Sequence, residues 1–199
     1  MNVNPISTTD VLVDSTTNAL TVVTDSHEKI HAGESFSIHV DNTTSNTDDH
    51  RTLVGFETPA GAKWIHLVMQ GSASSAAEAF LVEAATIDDD EGTQVAALDR
   101  NRNTANTSAI LSLENPAVAG SATWMTEAQL ADANFSYVTQ LAHTQLIAGS
   151  GPKAIGGTAR ESQKWILKAG IKYALFIQNI GASINLHEIQ LDFFEHTNE

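Results

Sequence analysis

No cysteine occurs among the 199 residues, which excludes disulfides, thiolate metal sites and cysteine nucleophiles. Cations are scarce: ten Lys and Arg stand against 24 Asp and Glu, for a formal net charge of −14. Phosphate binding needs concentrated Lys and Arg, so neither nucleic acid nor an anionic membrane surface is an expected partner. No run approaches the roughly 20 apolar residues of a membrane span. The opening Met1-Asn2-Val3-Asn4-Pro5 has neither a basic nor an apolar leader region, so no secretory signal is expected. There is no Gly-x-Ser-x-Gly elbow and no phosphate-cradling Gly-Lys-Ser/Thr loop. Hydrophobic residues nevertheless make up 42% of the chain, enough for a packed core. The surplus of negative charge reads first as solubility and mutual repulsion between copies.

What is present is mostly strand signal. Residues 1–18 are rich in Ser, Thr, Asn and Asp and read as a polar N-terminal arm. Leu20, Val22 and Thr24 begin a period-2 pattern. Ser35–Val40 repeats it, with Phe36, Ile38 and Val40 on one side. Asp41–Asp49 reads as a polar loop. Thr52–Thr58 and Lys63–Gln70 are strands joined by a Pro59-Ala60-Gly61 turn. The second of these is apolar on both faces, as in a central strand covered on both sides. Residues 77–87 suit a helix on propensity, but Phe80-Leu81-Val82 runs straight into a turn-rich segment and favours a strand. Ala109–Leu113 is a further strand, closed by Asn115-Pro116.

From 117 to about 158 the texture changes. Thr126-Glu127-Ala128-Gln129 fits a capping box for one short helix, and the segment reads as an insertion on a single domain spanning 19–199. Lys164–Leu167, Tyr173–Asn179 and Ser183–Glu195 give the clearest β pattern. In the last, Ile184 and Leu186 share one phase and Ile189, Leu191 and Phe193 the other, so a bulge near His187-Glu188 is expected. Many short strands with regular turns predict an all-β, antiparallel β-sandwich, jelly-roll-like in type.

Eight histidines offer themselves as ligands: His27, His31, His39, His50, His66, His143, His187 and His196. His27 and His31 have ligand spacing only on a helix, and Gly33 with its polar neighbours argues for a turn and strand instead. Asp88-Asp89-Asp90-Glu91 carries enough carboxylate oxygen for calcium but lacks the spaced pattern of a calcium loop, so a solvated turn is the better reading. Glu57, Glu78, Glu83 and Asp192 are the carboxylates from which a glycosidase pair would be drawn. Trp64, Trp124 and Trp165 would suit a sugar-stacking platform. Trp64 and Trp165 lie in strand patterns as core residues, and Trp124 is the one expected at the surface. Nothing here names a reaction, and the expectation is a non-enzymatic chain with no catalytic, cofactor or metal residues.

A set of motifs in fixed order goes further. His27-Glu28-Lys29-Ile30-His31-Ala32-Gly33-Glu34-Ser35-Phe36 precedes Phe56-Glu57-Thr58-Pro59 and Lys63-Trp64-Ile65-His66-Leu67. The stretch from Ala79 to Asn103 follows, with an acidic turn, Gly92-Thr93 and Arg100-Asn101-Arg102-Asn103. Last come Lys164–Tyr173 and the acidic-aromatic ending Asp192-Phe193-Phe194-Glu195. In this order they resemble a family of accessory virion proteins of tailed bacteriophages (head decoration or minor capsid proteins), although Asp99 departs from that family's usual asparagine. The resemblance covers roughly His27 to Glu195 and makes the Phe56 and Trp64 segments paired central strands. It implies a structural protein at the capsid surface, made in a host cytoplasm. On this basis the chain is expected to act as a capsid decoration or cement protein. Its expected partners are the major capsid protein and further copies of itself in a homotrimer. The alternative is a receptor- or glycan-binding tail or fibre component. Arg100 and Arg102 are expected to hold the Asp88–Gly92 turn or a neighbouring subunit, because guanidinium groups fix loops by multi-donor hydrogen bonding.

Overall fold

The structure is a computed structural model that describes residues 25–45, 50–87, 92–113, 119–126, 135–146, 153–155, 165–181 and 184–197. The polar arm, the 20–24 segment, the Asp88–Glu91 turn and the capping box beyond Thr126 lie outside those residues. A short helix, α1 (Asp25–His31), leads into β1 (Ser35–Ser45), β2 (Arg51–Glu57), β3 (Lys63–Ala73) and β4 (Ala77–Glu83). Four short strands follow: β5 (Thr86–Ile87), β6 (Thr93–Ala96), β7 (Leu98–Asp99) and β8 (Leu111–Ser112). Then come β9 (Ser121–Thr126), β10 (Phe135–Ser136), β11 (Thr139–Leu146), β12 (Lys153–Ile155), β13 (Trp165–Leu167), β14 (Lys172–Asn179) and β15 (Asn185–Thr197).

The strands form an antiparallel β-sandwich. One sheet runs β12-β3-β15-β1-β7, with β13 also on β3; the other runs β11-β4-β14-β2-β9-β6, with β8 also on β2. Strands β5 and β10 pair separately. The segment 117–158 therefore supplies β9, inside the second sheet between β2 and β6, and β11 and β12 at the margins of the two sheets.

Side-chain alternation explains how the sheets face one another. Phe36, Ile38 and Val40 of β1, Ile65 and Leu67 of β3, and Ile189, Leu191 and Phe193 of β15 are all buried inward. They meet Val54, Phe56, Leu81, Tyr173, Leu175 and Ile177 from the opposite sheet. Phe193 stacks on Phe36 (ring centroids 5.7 Å apart) and, across the sandwich, on Phe56 (6.4 Å). A second cluster lies on the outer face of the larger sheet. There Leu53, Val82, Met125, Ala174 and Phe176 pack with Ile87 and Phe135 of the β5–β10 pair. Strand β14 is thus apolar on both faces, which is why Tyr173-Ala174-Leu175-Phe176-Ile177 reads as an unbroken hydrophobic run.

Four expectations are corrected. Strand β3 is not the one covered on both sides: Trp64 on its outer face is 37% exposed, and β14 takes that role. Strands β2 and β3 do not pair, since the Pro59 turn carries the chain from one sheet to the other. Asp41–Ser45 continues β1 rather than forming a loop. Strand β15 carries no bulge at His187-Glu188: its register with β3 is continuous from His187 to Thr197, and the irregularity in its pairing with β1 puts the extra residue on β1, between Asn42 and Ser45. Ile184 and Leu186 simply stay outside, 73% and 46% exposed, while Asn185 and His187 turn inward.

Candidate functional site

The loop after β7 is organised by one carboxylate. Asp99, 5% exposed, accepts the backbone N–H of Asn101 (2.8 Å), the hydroxyl of Thr104 (2.5 Å) and the backbone N–H of Asn106 (3.3 Å). Burial opposes its charge, but the Thr104 hydroxyl and the two backbone donors outweigh that and hold the carboxyl below its ordinary range. The loop then grips the end of α1. Asn101 Nδ2 donates to the His31 carbonyl (3.1 Å), and Asn106 Nδ2 donates to the Gly33 carbonyl (3.0 Å). Gly33 has φ +68°, and a Cβ there would run into the Asn106 amide, so glycine is what lets the loop close on the helix.

The contacts expected of the two arginines, with the Asp88–Gly92 turn or a neighbouring subunit, fall outside the described residues, but their places in the loop are clear. Both are exposed. Arg102 Nη1 donates to the carbonyl of Asp99 (3.3 Å), and the backbone N–H of Arg100 donates to Ser35 (2.9 Å). Asn101 and Asn106, with Asp99, carry the loop. The Asp88–Glu91 turn, candidate for calcium and for arginine contact alike, lies outside the described residues.

The four carboxylates do not converge. Glu83 faces inward at one end of β4, accepting from Lys168 Nζ (2.7 Å) and from the Tyr173 hydroxyl (3.0 Å). The Lys168 hydrogen bond holds Glu83 below its ordinary range, while burial pushes Tyr173 up to about 12. Glu57 and Glu78 alternate with inward Phe56 and Ala79 and therefore sit on the opposite face of the same sheet. Asp192 lies on the outer face of the other sheet and accepts from Gln190 (2.9 Å).

Of the tryptophans, Trp64 is half-exposed rather than core. Trp165 packs against the main core, as expected. Trp124 is not a surface platform: it packs against the main core, and its buried Nε1 has no hydrogen-bond partner among the described residues.

The histidines fall into four settings. His39 and His143 lie beside Glu188 (3.0 Å) and Glu78 (3.3 Å) on outer faces. His27 and His31 do lie on a helix, against the turn-and-strand expectation, with their Nε2 atoms 2.9 Å apart. His66 and His196 meet across β3 and β15, Nε2 to Nε2 at 2.6 Å. His50 and His187 are buried between the sheets, and the sequence reading missed what surrounds them. Asn42 Nδ2 approaches His50 Nε2 (3.0 Å) and donates to Thr52 Oγ1 (3.0 Å). Thr52 Oγ1 meets His187 Nδ1 (2.9 Å), and His187 Nε2 meets Asn179 Oδ1 (2.7 Å). Asn179 Oδ1 can only accept, so His187 carries its proton on Nε2 and takes the Thr52 hydroxyl on Nδ1. Burial, with the neighbouring His50 second, brings His187 down to about 4.

Glu195 was also missed. Fully buried, it accepts from the Ser108 hydroxyl (2.5 Å), the Ala109 N–H (2.7 Å) and Lys63 Nζ (3.2 Å). A signal was available: Glu195 and His187 share the phase of Ile189, Leu191 and Phe193, so both point into the sandwich. A cavity of about 40 Å³ between the sheets, lined by Met69, Ala79, Leu81 and Leu175 among others, has space for a water rather than a substrate.

At the end of the sandwich beside the His187 network, the β14–β15 connection displays apolar side chains. Ile180 is 50% exposed, and Ile184 and Leu186 flank buried Asn185. The connection is fastened to the turn before β4. Ile180 N–H donates to the Ala76 carbonyl (3.1 Å), Leu186 N–H to Ser74 Oγ (2.8 Å) and Ser74 N–H to the Leu186 carbonyl (3.0 Å). Asn185 Oδ1 accepts from the Ser75 N–H (2.8 Å), and its Nδ2 donates to Ala76 (3.2 Å). No protein-family model matches the sequence, and no curated protein matches it.

Proposed function

We propose that this chain is a structural component of a bacteriophage virion, a decoration protein that docks on the major capsid protein as a homotrimer. The observation that carries the reading is the fixed display of Ile180, Ile184 and Leu186 at one end of the sandwich. Apolar side chains grouped at the surface mark contact sites, and these stand on a backbone already ordered by the Ser74–Ala76 turn. Docking such a surface costs little further ordering entropy. Each contact is small, but a symmetric oligomer repeats it, so several weak contacts sum to stable attachment. The net charge of −14 keeps free copies apart until they dock. The order of motifs shared with accessory virion proteins supports the same reading.

The test is reconstitution. Purified chain added to capsids lacking it binds saturably and sediments with them. Replacing Ile180 and Ile184 by Asp lowers that binding by about tenfold or more, the loss expected when two apolar contacts are traded for charge. The single variant Ile184→Asp, at a side chain 73% exposed, lowers binding too while leaving the thermal midpoint close to that of the wild type, which separates lost docking from the packing lost at half-buried Ile180. Failure of the wild-type chain to bind, or undiminished binding by the double variant, refutes the proposal.

A further inference from the structure

The histidine pair on α1 goes beyond that reading and does not depend on it. His27 and His31 stand one helical turn apart, both exposed, with ring centroids 4.5 Å apart. Residues four apart on a helix present side chains on the same face, and here the two Nε2 atoms point at each other across 2.9 Å. In the free chain one Nε2–H donates to the other Nε2.

We propose that His27 and His31 form a two-imidazole chelate for a late first-row divalent ion, Cu²⁺ or Ni²⁺ ahead of Zn²⁺. The proton between the rings passes through water to the outer Nδ1, so that both Nε2 lone pairs face the ion. The nitrogen separation argues for the choice of metal. With metal–nitrogen bonds of about 2.05 Å, nitrogens 2.9 Å apart subtend about 90° at the ion. That is the angle between adjacent ligands of a square-planar or octahedral ion. A tetrahedral ion needs about 3.3 Å between the same atoms. The affinity order for nitrogen ligands points the same way, with Cu²⁺ at its peak. Among the described residues no third His, Asp or Glu joins the pair, so water or a ligand from another molecule completes the coordination.

The surroundings hold the chelate in shape. A helix of seven residues is too short to persist alone. Here its last turn is closed by Ala32 N–H on Glu28 O (2.9 Å) and Glu34 N–H on Lys29 O (2.9 Å). The Lys29–Glu34 ion pair (2.8 Å) spans the same turn. Asn101 and Asn106 grip the carbonyls of His31 and Gly33 from the Asp99 loop. The imidazoles are therefore placed before the metal arrives, and little ordering cost is left for binding.

The experiment uses the full chain without an affinity tag. CuCl₂ and NiCl₂ are titrated by calorimetry into the wild type, into His27→Gln, into His31→Gln and into a His66→Gln/His196→Gln control. The wild type binds about one Cu²⁺, more tightly than Ni²⁺ or Zn²⁺. Either α1 variant weakens Cu²⁺ binding by about tenfold or more, and the control binds as the wild type does. The electron paramagnetic spectrum of the Cu²⁺ complex shows coupling to two equatorial nitrogens, a readout independent of how the variants fold. Cu²⁺ binding unchanged in both α1 variants, lost in the His66/His196 control, absent from the wild type, or coupled to a single nitrogen overturns the assignment.

Discussion

Acidification isolates the contribution of His187. This ring is 1% exposed and is satisfied as a neutral imidazole, with Thr52 on Nδ1 and Asn179 on Nε2. A second proton on Nδ1 would face a hydroxyl that is already donating, inside a dry interior beside His50. The folded-state value accordingly falls to about 4 from an ordinary 6.5. The sign follows from linkage. Above pH 7 neither the folded nor the unfolded chain protonates this residue. As the pH drops through 6.5 the unfolded chain takes up a proton that the folded chain refuses, so stability falls by up to about 1.4 kcal/mol per pH unit. The fall ends near pH 4, when folded His187 protonates too, after a total loss of roughly 3 kcal/mol. Between pH 7.5 and 4.5 the same relation gives about 2.5 kcal/mol. The comparison protein is His187→Gln, whose amide can donate to Asn179 and accept from Thr52 but does not titrate. Urea unfolding followed by tryptophan fluorescence at both pH values gives the two losses. Titrating groups remote from this site are common to both proteins and cancel, and the adjoining His50 enters only as the smaller cause of the His187 shift. The wild type should lose about 2.5 kcal/mol more than the variant; equal losses, within about 0.5 kcal/mol, would refute the account of a neutral, buried His187.

Two further outcomes concern the other buried polar groups. Asp99→Asn keeps one acceptor oxygen but turns an amide N–H₂ toward donors that met the second, so it should cost about 2 kcal/mol in urea unfolding at pH 7. That cost should shrink as the pH drops toward the depressed value of Asp99, where the wild-type advantage is itself lost. Glu195→Ala orphans the buried Ser108 hydroxyl and the Ala109 N–H and leaves Lys63 without its carboxylate, for about 3 kcal/mol, whereas Glu195→Gln should cost clearly less. Equal costs for the two Glu195 variants would show that packing, rather than hydrogen-bond satisfaction, sets the effect.

Most strands were legible because their signal is local. Phe36-Ile38-Val40 and Ile189-Leu191-Phe193 alternate whatever lies across from them. Partner choice was not legible. Nothing between Glu57 and Lys63 says that the Pro59 turn changes sheets rather than folding β3 back on β2. Loop chemistry was half legible: the Arg100–Asn103 element stands out, but which of its residues carries the loop depends on carbonyls of α1, roughly 70 positions away. Hence the arginines drew notice, and Asp99 with the asparagines does the holding. The helix at His27 was missed because Gly33, read as the end of a turn, is the glycine that stops a helix.

The phase shift expected in β15 shows why the remaining errors share one cause. A reader of sequence assigns apolar residues inward and inserts a bulge where the phase breaks. The strand instead keeps its register with β3, leaves the extra residue to β1, and reverses the rule: Asn185, His187 and Glu195 go in, and Ile184 and Leu186 go out. Each reversal has a local cost, met in a different way. The inward polar groups find partners on distant strands and loops, which no pattern within β15 announces. The outward apolar groups Ile184 and Leu186 stay 73% and 46% exposed, and exposed Ile and Leu beside the connection between the two sheets gain most from contact with another molecule. The place where periodicity misleads is therefore also the place where the proposed attachment is put, and the same residues that defeat the sequence reading are the ones whose replacement tests it.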